Sequence, residues 1–373
     1  MSVLISTVSS RRQLREFVRF PYELYKDCPN WVPALEGDEF DTFNPEKNGA
    51  YDYCEAECYL AKKDGVTVGR VAAIINYKSN ELWHENAVRF GWLDFIEDSE
   101  VLTALLSRVE KFGKDRGCVS MKGPLGFTDM DKEGSLVEGY ERLSPFTCLY
   151  NYPYYDRMLM ETGLVKDVDW IQRLVHIDKE LPPMFRYAEL IESKFGLHMA
   201  KSSSTREFCR KYGMSIFHMY NETFAPLFEF CPISDKQIRN YLDTYVPILD
   251  PDYVAICLDA EDNPVGFAFC VPTLSKAVKK AKGRLFPFGF IHILNALRRN
   301  DTLEALLIGI MPEYQGKGVS VLMFKQIHEN CLHRGIDKLI LNPQLEENFR
   351  ALSLFEQYET EPYMRRRAYR RDI

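Results

Sequence analysis

The chain has 373 residues, of which 46% are hydrophobic and 27% are charged, and its formal net charge is −7. These proportions are typical of a soluble globular protein with enough apolar residues for two domains. The negative charge argues against a general nucleic-acid-binding protein. No stretch reaches the roughly 18 consecutive apolar residues of a membrane span. Ten scattered cysteines, without Cys-x-x-Cys or zinc-type spacing, predict reduced thiols in a cytoplasmic protein that has no disulfide framework and no structural metal.

The first half, residues 1–180, begins with a predicted strand and a helix for which Ser10 and Gln13 form a capping box. Two strands follow, and the Asp64-Gly65 pair between them predicts a hairpin turn. The predicted elements after the first helix are strands at 54–62, 66–76 and 90–96, a helix at 101–116, a strand at 118–122, a helix at 154–162 and a strand at 170–177.

The second half, residues 181–373, repeats this pattern. A helical region at 205–224 is predicted to be interrupted at Gly213, and Ser234 with Gln237 forms a second capping box. The predicted elements are helices at 185–195 and 205–224, a helix after Ser234, a hairpin at 253–258 and 265–271, a strand at 303–311, a helix ending at Arg334, a strand at 338–341, a helix at 347–358 and a strand at 364–369.

The two halves share the order of their elements and some local pairs. Val68-Gly69 corresponds to Val265-Gly266, and Arg116-Gly117 corresponds to Arg334-Gly335. We therefore predict an α/β protein with a mixed sheet, built from two copies of one unit.

One stretch, Leu303 to Ser320, indicates a particular chemistry. An apolar strand ends at Pro312, and Gln315-Gly316-Lys317-Gly318-Val319-Ser320 then leads into a helix. Such a turn leaves several backbone N–H groups unpaired at the positive end of a helix dipole, which favours anion binding. Glycines there let a phosphate approach the backbone closely.

This stretch resembles the phosphate loop of the GNAT superfamily of acyl-CoA N-acyltransferases, which reads Arg or Gln-x-x-Gly-x-Gly or Ala. Ser320 departs from the usual last residue. A second family motif, Asn-x-x-Ala-x-x-x-Tyr or Phe, is matched by Asn348, Ala351 and Phe355. The likeness covers the second half, and the first half resembles a degenerate copy. The whole is similar to bacterial proteins with two GNAT-like halves.

The resemblance implies an N-acyltransferase that transfers an acetyl or other acyl group from acyl-CoA, as co-substrate, to an amine of a small molecule or peptide. It implies a pyrophosphate on the backbone amides of Gly316, Lys317, Gly318 and Val319, within the motif from Gln315 to Ser320. It also implies a backbone N–H near Ile310 as the oxyanion donor and a hydrogen bond from Asn348 to the pantetheine arm. No metal is implied.

The acid and the base are harder to assign. The motif position often held by a catalytic Tyr is Phe355, so we predict Tyr358, three residues further on, as the acid. Glu304 is the best placed base, and Glu313, His292 and His328 are weaker candidates. The alternative for each of these side chains is a packing or surface role. The missing Tyr also leaves a second reading open, a catalytically inactive acyl-CoA-binding or scaffolding protein.

Three further segments carry predictions. Acidic residues at 94–100 would repel phosphate, so the first half is expected to shape the acceptor site or to be purely structural. Around 273–300, basic residues flank an apolar stretch; a flap packed on the other half is favoured over a membrane contact or an acyl-chain cover. The run 365–367 of three arginines is predicted to lie at the surface with one buried stem, with a phosphate contact as the alternative.

Overall fold

The computed structural model describes residues 2–201, 204–246 and 249–373. Within these ranges the strands are β1 (Leu4–Thr7), β2 (Cys54–Lys63), β3 (Val66–Asn76), β4 (Ala87–Phe95), β5 (Ser120–Gly123), β6 (Ser135–Glu138), β7 (Val165–His176), β8 (His198–Met199), β9 (Val254–Leu258), β10 (Pro264–Pro272), β11 (Thr302–Ile310), β12 (Lys338–Ile340), β13 (Gln344–Leu345) and β14 (Thr360–Asp372). The α-helices are α1 (Arg11–Leu24), α2 (Glu36–Thr42), α3 (Tyr77–Leu82), α4 (Ser99–Lys114), α5 (Tyr154–Glu161), α6 (Ala188–Phe195), α7 (Thr205–Thr223), α8 (Asp235–Tyr245), α9 (Ser275–Lys280), α10 (Gly289–Arg298), α11 (Val319–Arg334) and α12 (Phe349–Ser353).

One compact unit consists of Met1–Ile171, Leu274–Ile293 and Met364–Ile373. Its strands are ordered β1-β2-β3-β4-β5-β14. Strands β2, β3 and β4 pair antiparallel, whereas β5 pairs parallel to β4 after the crossover helix α4. The predicted hairpin turn is confirmed, with positive φ angles at Asp64 and Gly65.

The other unit consists of Gln172–Thr273 and Leu294–Tyr363, and its strands are ordered β7-β12-β11-β10-β9-β8. Strands β9, β10 and β11 pair antiparallel, and β12 pairs parallel to β11 after the helix α11. Both units therefore have three antiparallel strands, a crossover helix and a parallel fourth strand, which confirms the shared order of elements that the sequence predicts.

The matched glycines of the two halves have the same structural role. A Cβ atom on Gly69 would lie 2.8 Å from Leu105 of α4, and one on Gly266 would lie 2.4 Å from Val319 of α11. In each unit the glycine lets the crossover helix lie close against the sheet. This shared contact confirms the correspondence between Val68-Gly69 and Val265-Gly266.

The predicted break at Gly213 is wrong. Helix α7 continues through this position, and a Cβ atom there would lie 2.9 Å from Leu242 of α8. Glycine costs about 1 kcal/mol in a helix relative to alanine. Here its small size allows two helices to pack closely, so tertiary packing outweighs the local propensity.

The segment around 273–300 also departs from the prediction. Its first part is packed, because Ser275, Ala277 and Val278 of α9 are buried. Its tip is not, since Phe286 is 80% exposed and Phe288 is 71% exposed. The favoured interpretation as a packed flap is therefore wrong for the tip.

The arginine run in β14 is structural in the way its alternation predicts. Arg366 is fully buried, while Arg365 and Arg367 both bind the carboxylate of Asp169. Burial raises the pKa of Asp169, but hydrogen bonds from Arg367 and Arg365 and from Lys166 outweigh it and hold this pKa below its usual range.

Candidate active site

The central strand β11 pairs with its neighbour β12 over only three residues. The parallel ladder joins Thr302, Leu303 and Glu304 to β12 and then stops. On its other edge β12 pairs antiparallel with β7, and this pairing extends to Leu341, whose N–H donates to the Arg173 carbonyl at 2.9 Å. Among the residues that the structure describes, the remainder of β11 therefore has one edge without a strand partner. The Leu306 carbonyl accepts a hydrogen bond from the Asn342 side chain at 3.0 Å.

A β-bulge lies in the same part of β11. The register against β10 shifts between Phe269, which faces Leu307, and Cys270, which faces Ala305, so that Leu306 is the extra residue. Bulges bend a strand and change the direction of its side chains, and they are frequent next to active sites. The open edge and the bulge coincide in the middle of β11.

The glycine turn at the end of β11 has the geometry that the sequence predicts. Gly316 has φ 74° and Gly318 has φ 83°, and Gly318 is the N-cap of α11. A Cβ atom on Gly318 would lie 2.6 Å from Ile191, whereas a Cβ atom on Gly316 would have nothing within 4 Å. Gly318 is therefore needed for packing as well as backbone conformation, while Gly316 borders open space.

The unpaired amides of this turn differ in one member from the predicted set. The N–H of Lys317 donates to the Tyr314 carbonyl at 3.2 Å. The N–H groups of Gly316, Gly318, Val319 and Ser320 have no hydrogen-bond acceptor within the described ranges. These four amides, which we call the anion site, lie at the positive end of α11 and are suited to bind a phosphate.

Two side chains extend the anion site. The Gln315 Nε2 group donates to the Ile310 carbonyl at 3.2 Å, and the Gln315 Oε1 atom accepts from Arg350 Nη1 at 3.2 Å. Arg350 is exposed, so its remaining N–H groups are available to an anion. Sequence reasoning missed Arg350, although it lies two residues after Asn348 within the recognised motif.

Asn348 is positioned by the helix that it caps. Its Oδ1 atom accepts from the Ala351 N–H at 3.2 Å and so forms the N-cap of α12. The geometry fixes the side-chain amide with the oxygen turned towards the helix. Its Nδ2 group is then oriented away from the helix, where it is suited to donate to a ligand carbonyl.

The helix at 347–358 is shorter than predicted. α12 ends at Ser353, and the chain continues in single turns, with hydrogen bonds from the Glu356 N–H to Ser353 and from the Tyr358 N–H to Phe355. Phe355 is buried against Phe324, with ring centroids 5.1 Å apart, which draws the chain towards the core and ends the α-helix.

Tyr358 lies in an apolar environment beside His328, with ring centroids 5.8 Å apart. Burial, followed by the neighbouring Cys331, raises the pKa of Tyr358, so its phenol is protonated at neutral pH. The Tyr358 hydroxyl has no hydrogen-bond partner in the portion of the chain that the structure describes. It is a neutral O–H group that can donate a hydrogen bond.

His328 is 2% exposed, and its Nε2 atom lies 2.9 Å from the Asp178 carbonyl. A carbonyl accepts, so Nε2 carries the proton and Nδ1 is a lone-pair acceptor. This Nδ1 atom is buried and has no hydrogen-bond partner among the described residues. Burial lowers the pKa of His328, although its contact with Asp178 opposes this effect. His328 is a neutral imidazole packed between Phe185 and Tyr358.

Glu304 is 2% exposed and accepts a hydrogen bond from the Thr273 hydroxyl. It lies at the last paired position of β11, immediately before the open edge. Glu313 and His292 are partly or largely exposed. Ile310 lies six positions after Glu304, which corresponds to about 20 Å along a strand. The Glu304 side chain and the Ile310 backbone N–H are therefore too far apart to contact the same thioester.

The corresponding position in the first unit is already occupied by a carboxylate. Asp98 caps α4, and its Oδ1 atom accepts from the N–H groups of Glu100 and Val101 at 3.0 and 3.3 Å. Lys63 forms ion pairs with both Asp98 and Glu100. The backbone N–H groups of Glu100 and Val101 at the start of α4 are therefore already hydrogen-bonded to Asp98 and are not suited to bind a phosphate.

The chain resembles known proteins in ways that agree with this geometry. Residues 214–358 match the family model of the Acetyltransferase (GNAT) family. The matched residues include β11, the glycine turn, Asn348 and Tyr358. Among solved structures, the tandem GNAT protein from the clavulanic acid biosynthesis pathway superposes with a TM-score of 0.59 at 10% identity, over 100% of this chain and 98% of that one. The chain thus has the tandem GNAT fold.

Two relatives match almost the whole chain. Protein YghO of Escherichia coli (strain K12) is 26% identical over 380 residues, which cover 99% of this chain and 95% of that protein. The bacterial ceramide synthase of Caulobacter vibrioides (strain NA1000 / CB15N) is 21% identical over 349 residues, which cover 91% of this chain and 90% of that protein.

Proposed function

We propose that the protein is an acyl-CoA-dependent N-acyltransferase whose donor binds along β11. One observation carries the proposal: the open edge of β11 leads directly into the anion site at the start of α11. An extended arm with amide groups can pair with an open strand edge, and a pyrophosphate can bind unpaired amides at a helix N-terminus. The pantetheine arm and pyrophosphate of coenzyme A provide both features in one molecule.

In this proposal Glu304 is the general base that accepts the proton of the attacking amine. With Glu304 as the base at the start of the open edge, the thioester would lie opposite the bulge at Ala305–Leu307. A backbone N–H of that bulged segment would then stabilise the oxyanion, and Ile310 would lie beside the pantetheine arm. In this proposal the backbone N–H of the bulged segment, and not that of Ile310, is the oxyanion donor, because Ile310 is about 20 Å from Glu304 along the strand.

The leaving thiolate requires a proton, and Tyr358 is the proposed donor. Its phenol is protonated at neutral pH because burial raises its pKa. The same shift makes it a weaker acid than an exposed tyrosine, so its contribution depends on a direct contact with the thiolate sulfur. Asn348 is proposed to bind the arm and Arg350 a phosphate.

The proposed acceptor is an amine that carries a long apolar chain. This finer statement rests on the name of one relative, a ceramide synthase, since a ceramide is an amide formed from a fatty acyl group and a long-chain amino alcohol. The acyl donor is then expected to be longer than acetyl. Transfer of an acetyl or other acyl group to a small-molecule or peptide amine is the broader form of the same proposal.

The test is amide formation followed by mass spectrometry. The purified protein is incubated with acetyl-, octanoyl- or palmitoyl-CoA and with a long-chain amino alcohol, a polyamine or a lysine-containing peptide. An N-acylated product with one of these amines supports the proposal. Binding of acyl-CoA by calorimetry without a product from any pair supports the alternative, an inactive acyl-CoA-binding or scaffolding protein. Absence of acyl-CoA binding overturns both.

A further inference from the structure

An exposed group of apolar side chains lies at 285–291, which we call the apolar tip. Phe286 is 80% exposed, Phe288 is 71% exposed, and Leu285, Phe290 and Ile291 are between 36% and 43% exposed. The rings of Phe286 and Phe290 are neighbours, with centroids 6.1 Å apart. Large apolar side chains that are adjacent and exposed mark a surface that binds another partner or a membrane.

The base of the apolar tip is held firmly in the fold. The Glu36 N–H donates to the Gly283 carbonyl at 2.8 Å, and the Arg284 guanidinium pairs with the Glu36 carboxylate at 2.7 Å. A Cβ atom on Gly283 would lie 2.4 Å from the Ala34 carbonyl oxygen, so the backbone segments are in close contact. Since the base is packed and hydrogen-bonded, the exposure of the tip is a feature of the folded chain.

The residues around the tip carry a strong positive charge. Lys276, Lys280 and Lys282 are exposed and form no ion pair with any residue that the structure describes. The sequence between Ser275 and Asn300 contains seven lysine and arginine residues and no acidic residue, although the whole chain has a net charge of −7. Arg284 is the basic residue nearest the tip, and its partner Glu36 is shared with Arg19. The local surface is therefore cationic and apolar at once.

We propose that the apolar tip inserts into the surface of an anionic lipid bilayer, with the adjacent lysines bound to lipid headgroups. Phenylalanine side chains bury apolar area below the headgroups, and lysines near an anionic surface strengthen binding. The charge pattern favours an anionic membrane over an apolar protein surface, because the segment that carries the tip has seven basic residues and no acidic residue. None of the described helices is long and apolar enough to cross a membrane, so the contact is peripheral. The inference does not depend on acyl transfer.

The test is co-sedimentation of the protein with lipid vesicles in the absence of acyl-CoA. Two compositions are compared, pure phosphatidylcholine and a mixture with about one third phosphatidylglycerol. The full-length parent is expected to bind the anionic vesicles, and Phe286→Ser with Phe288→Ser is expected to weaken binding at least about tenfold. A Lys276→Glu, Lys280→Glu, Lys282→Glu variant is expected to lose the preference for anionic vesicles.

Phe349→Ser is the matched control, because Phe349 is 75% exposed and lies outside the tip; it should bind like the parent. Thermal unfolding of all variants should be similar, since the replaced side chains are exposed. The proposal is overturned if the parent does not bind anionic vesicles, or if the double Phe variant binds as well as the parent. The proposal is also overturned if the parent dimerises without binding lipid and the double Phe variant is monomeric. That result would show that the tip binds a second copy of the chain.

Discussion

The Arg350 guanidinium donates to the Gln315 side-chain oxygen at 3.2 Å, across 35 residues of sequence. Gln315 also donates to the Ile310 carbonyl, so one glutamine joins the end of β11, the glycine turn and the helix that Asn348 caps. This contact places a positive charge beside amides that are suited to bind a pyrophosphate.

Replacing Arg350 by Gln is expected to raise the dissociation constant for acyl-CoA about three- to tenfold, because an exposed charge-assisted contact contributes roughly 0.5–1.5 kcal/mol. Calorimetry at 50 and 300 mM NaCl measures the effect. The loss should be smaller at high salt, since the parent contact is screened there. Equal affinity of parent and variant at low salt would show that Arg350 does not bind the ligand.

Glu304→Gln keeps the size of the side chain and a hydrogen-bond acceptor for Thr273. We expect acyl-CoA to bind as before, while kcat falls by about 100-fold or more, as for the loss of a general base. Glu313→Gln, an exposed carboxylate beyond the strand, is the control and should keep its activity. A Glu304→Gln variant with normal kcat would exclude Glu304 as the base.

Tyr358→Phe removes only a hydroxyl that has no hydrogen-bond partner in the described structure, so stability and acyl-CoA affinity should change little. If Tyr358 protonates the thiolate, kcat should fall about 100-fold. A thioester with an aryl thiol as leaving group needs less protonation, and with this substrate the variant should approach the parent rate. A loss of rate that is equal for both thioesters would instead indicate a packing role.

His328 makes stability depend on pH in a defined direction. Burial lowers its pKa in the folded chain below the usual value of 6.5, so the unfolded chain binds more protons below pH 6.5. The stability present above that value is therefore lost as the pH falls. Urea unfolding at pH 5.5 and 7.5 should show a smaller difference for His328→Gln than for the parent. An unchanged difference would mean that other groups cause the pH dependence.

Much of the fold follows from local sequence signals. Asp64-Gly65 has a conformational role, a hairpin turn with positive φ angles, that the local sequence reveals. Gly213 shows where prediction from local sequence fails. The glycine is required by a close contact with Leu242 on another helix, and no local pattern indicates such a contact. The shortened helix after Asn348 has a similar cause, the burial of Phe355 on Phe324.

The candidate site shows the same division. The anion site follows from the motif, since glycine turns and helix dipoles are local. The bulge at Leu306, the Arg350–Gln315 contact and the bound amide of Lys317 depend on how distant segments meet. The exposure of Phe286 and Phe288 is also invisible in the sequence, because an apolar stretch between basic residues is equally consistent with a packed flap.

The central claim is that acyl-CoA binds at the anion site, and the substitution of Gly316 tests it most directly. Gly316 has open space around it, unlike Gly318, and both Asn and Asp tolerate its positive φ better than most residues do. Gly316→Asn and Gly316→Asp have the same shape and differ in one negative charge.

The measurement is calorimetric titration of the parent and the two variants with acetyl-CoA and octanoyl-CoA. Gly316→Asn should bind within about threefold of the parent, because strain at one residue is small. Gly316→Asp should bind at least about 30-fold more weakly, because its carboxylate would repel the pyrophosphate. Equal dissociation constants for the Asn and Asp variants would contradict the assignment of the acyl-CoA phosphates to this turn.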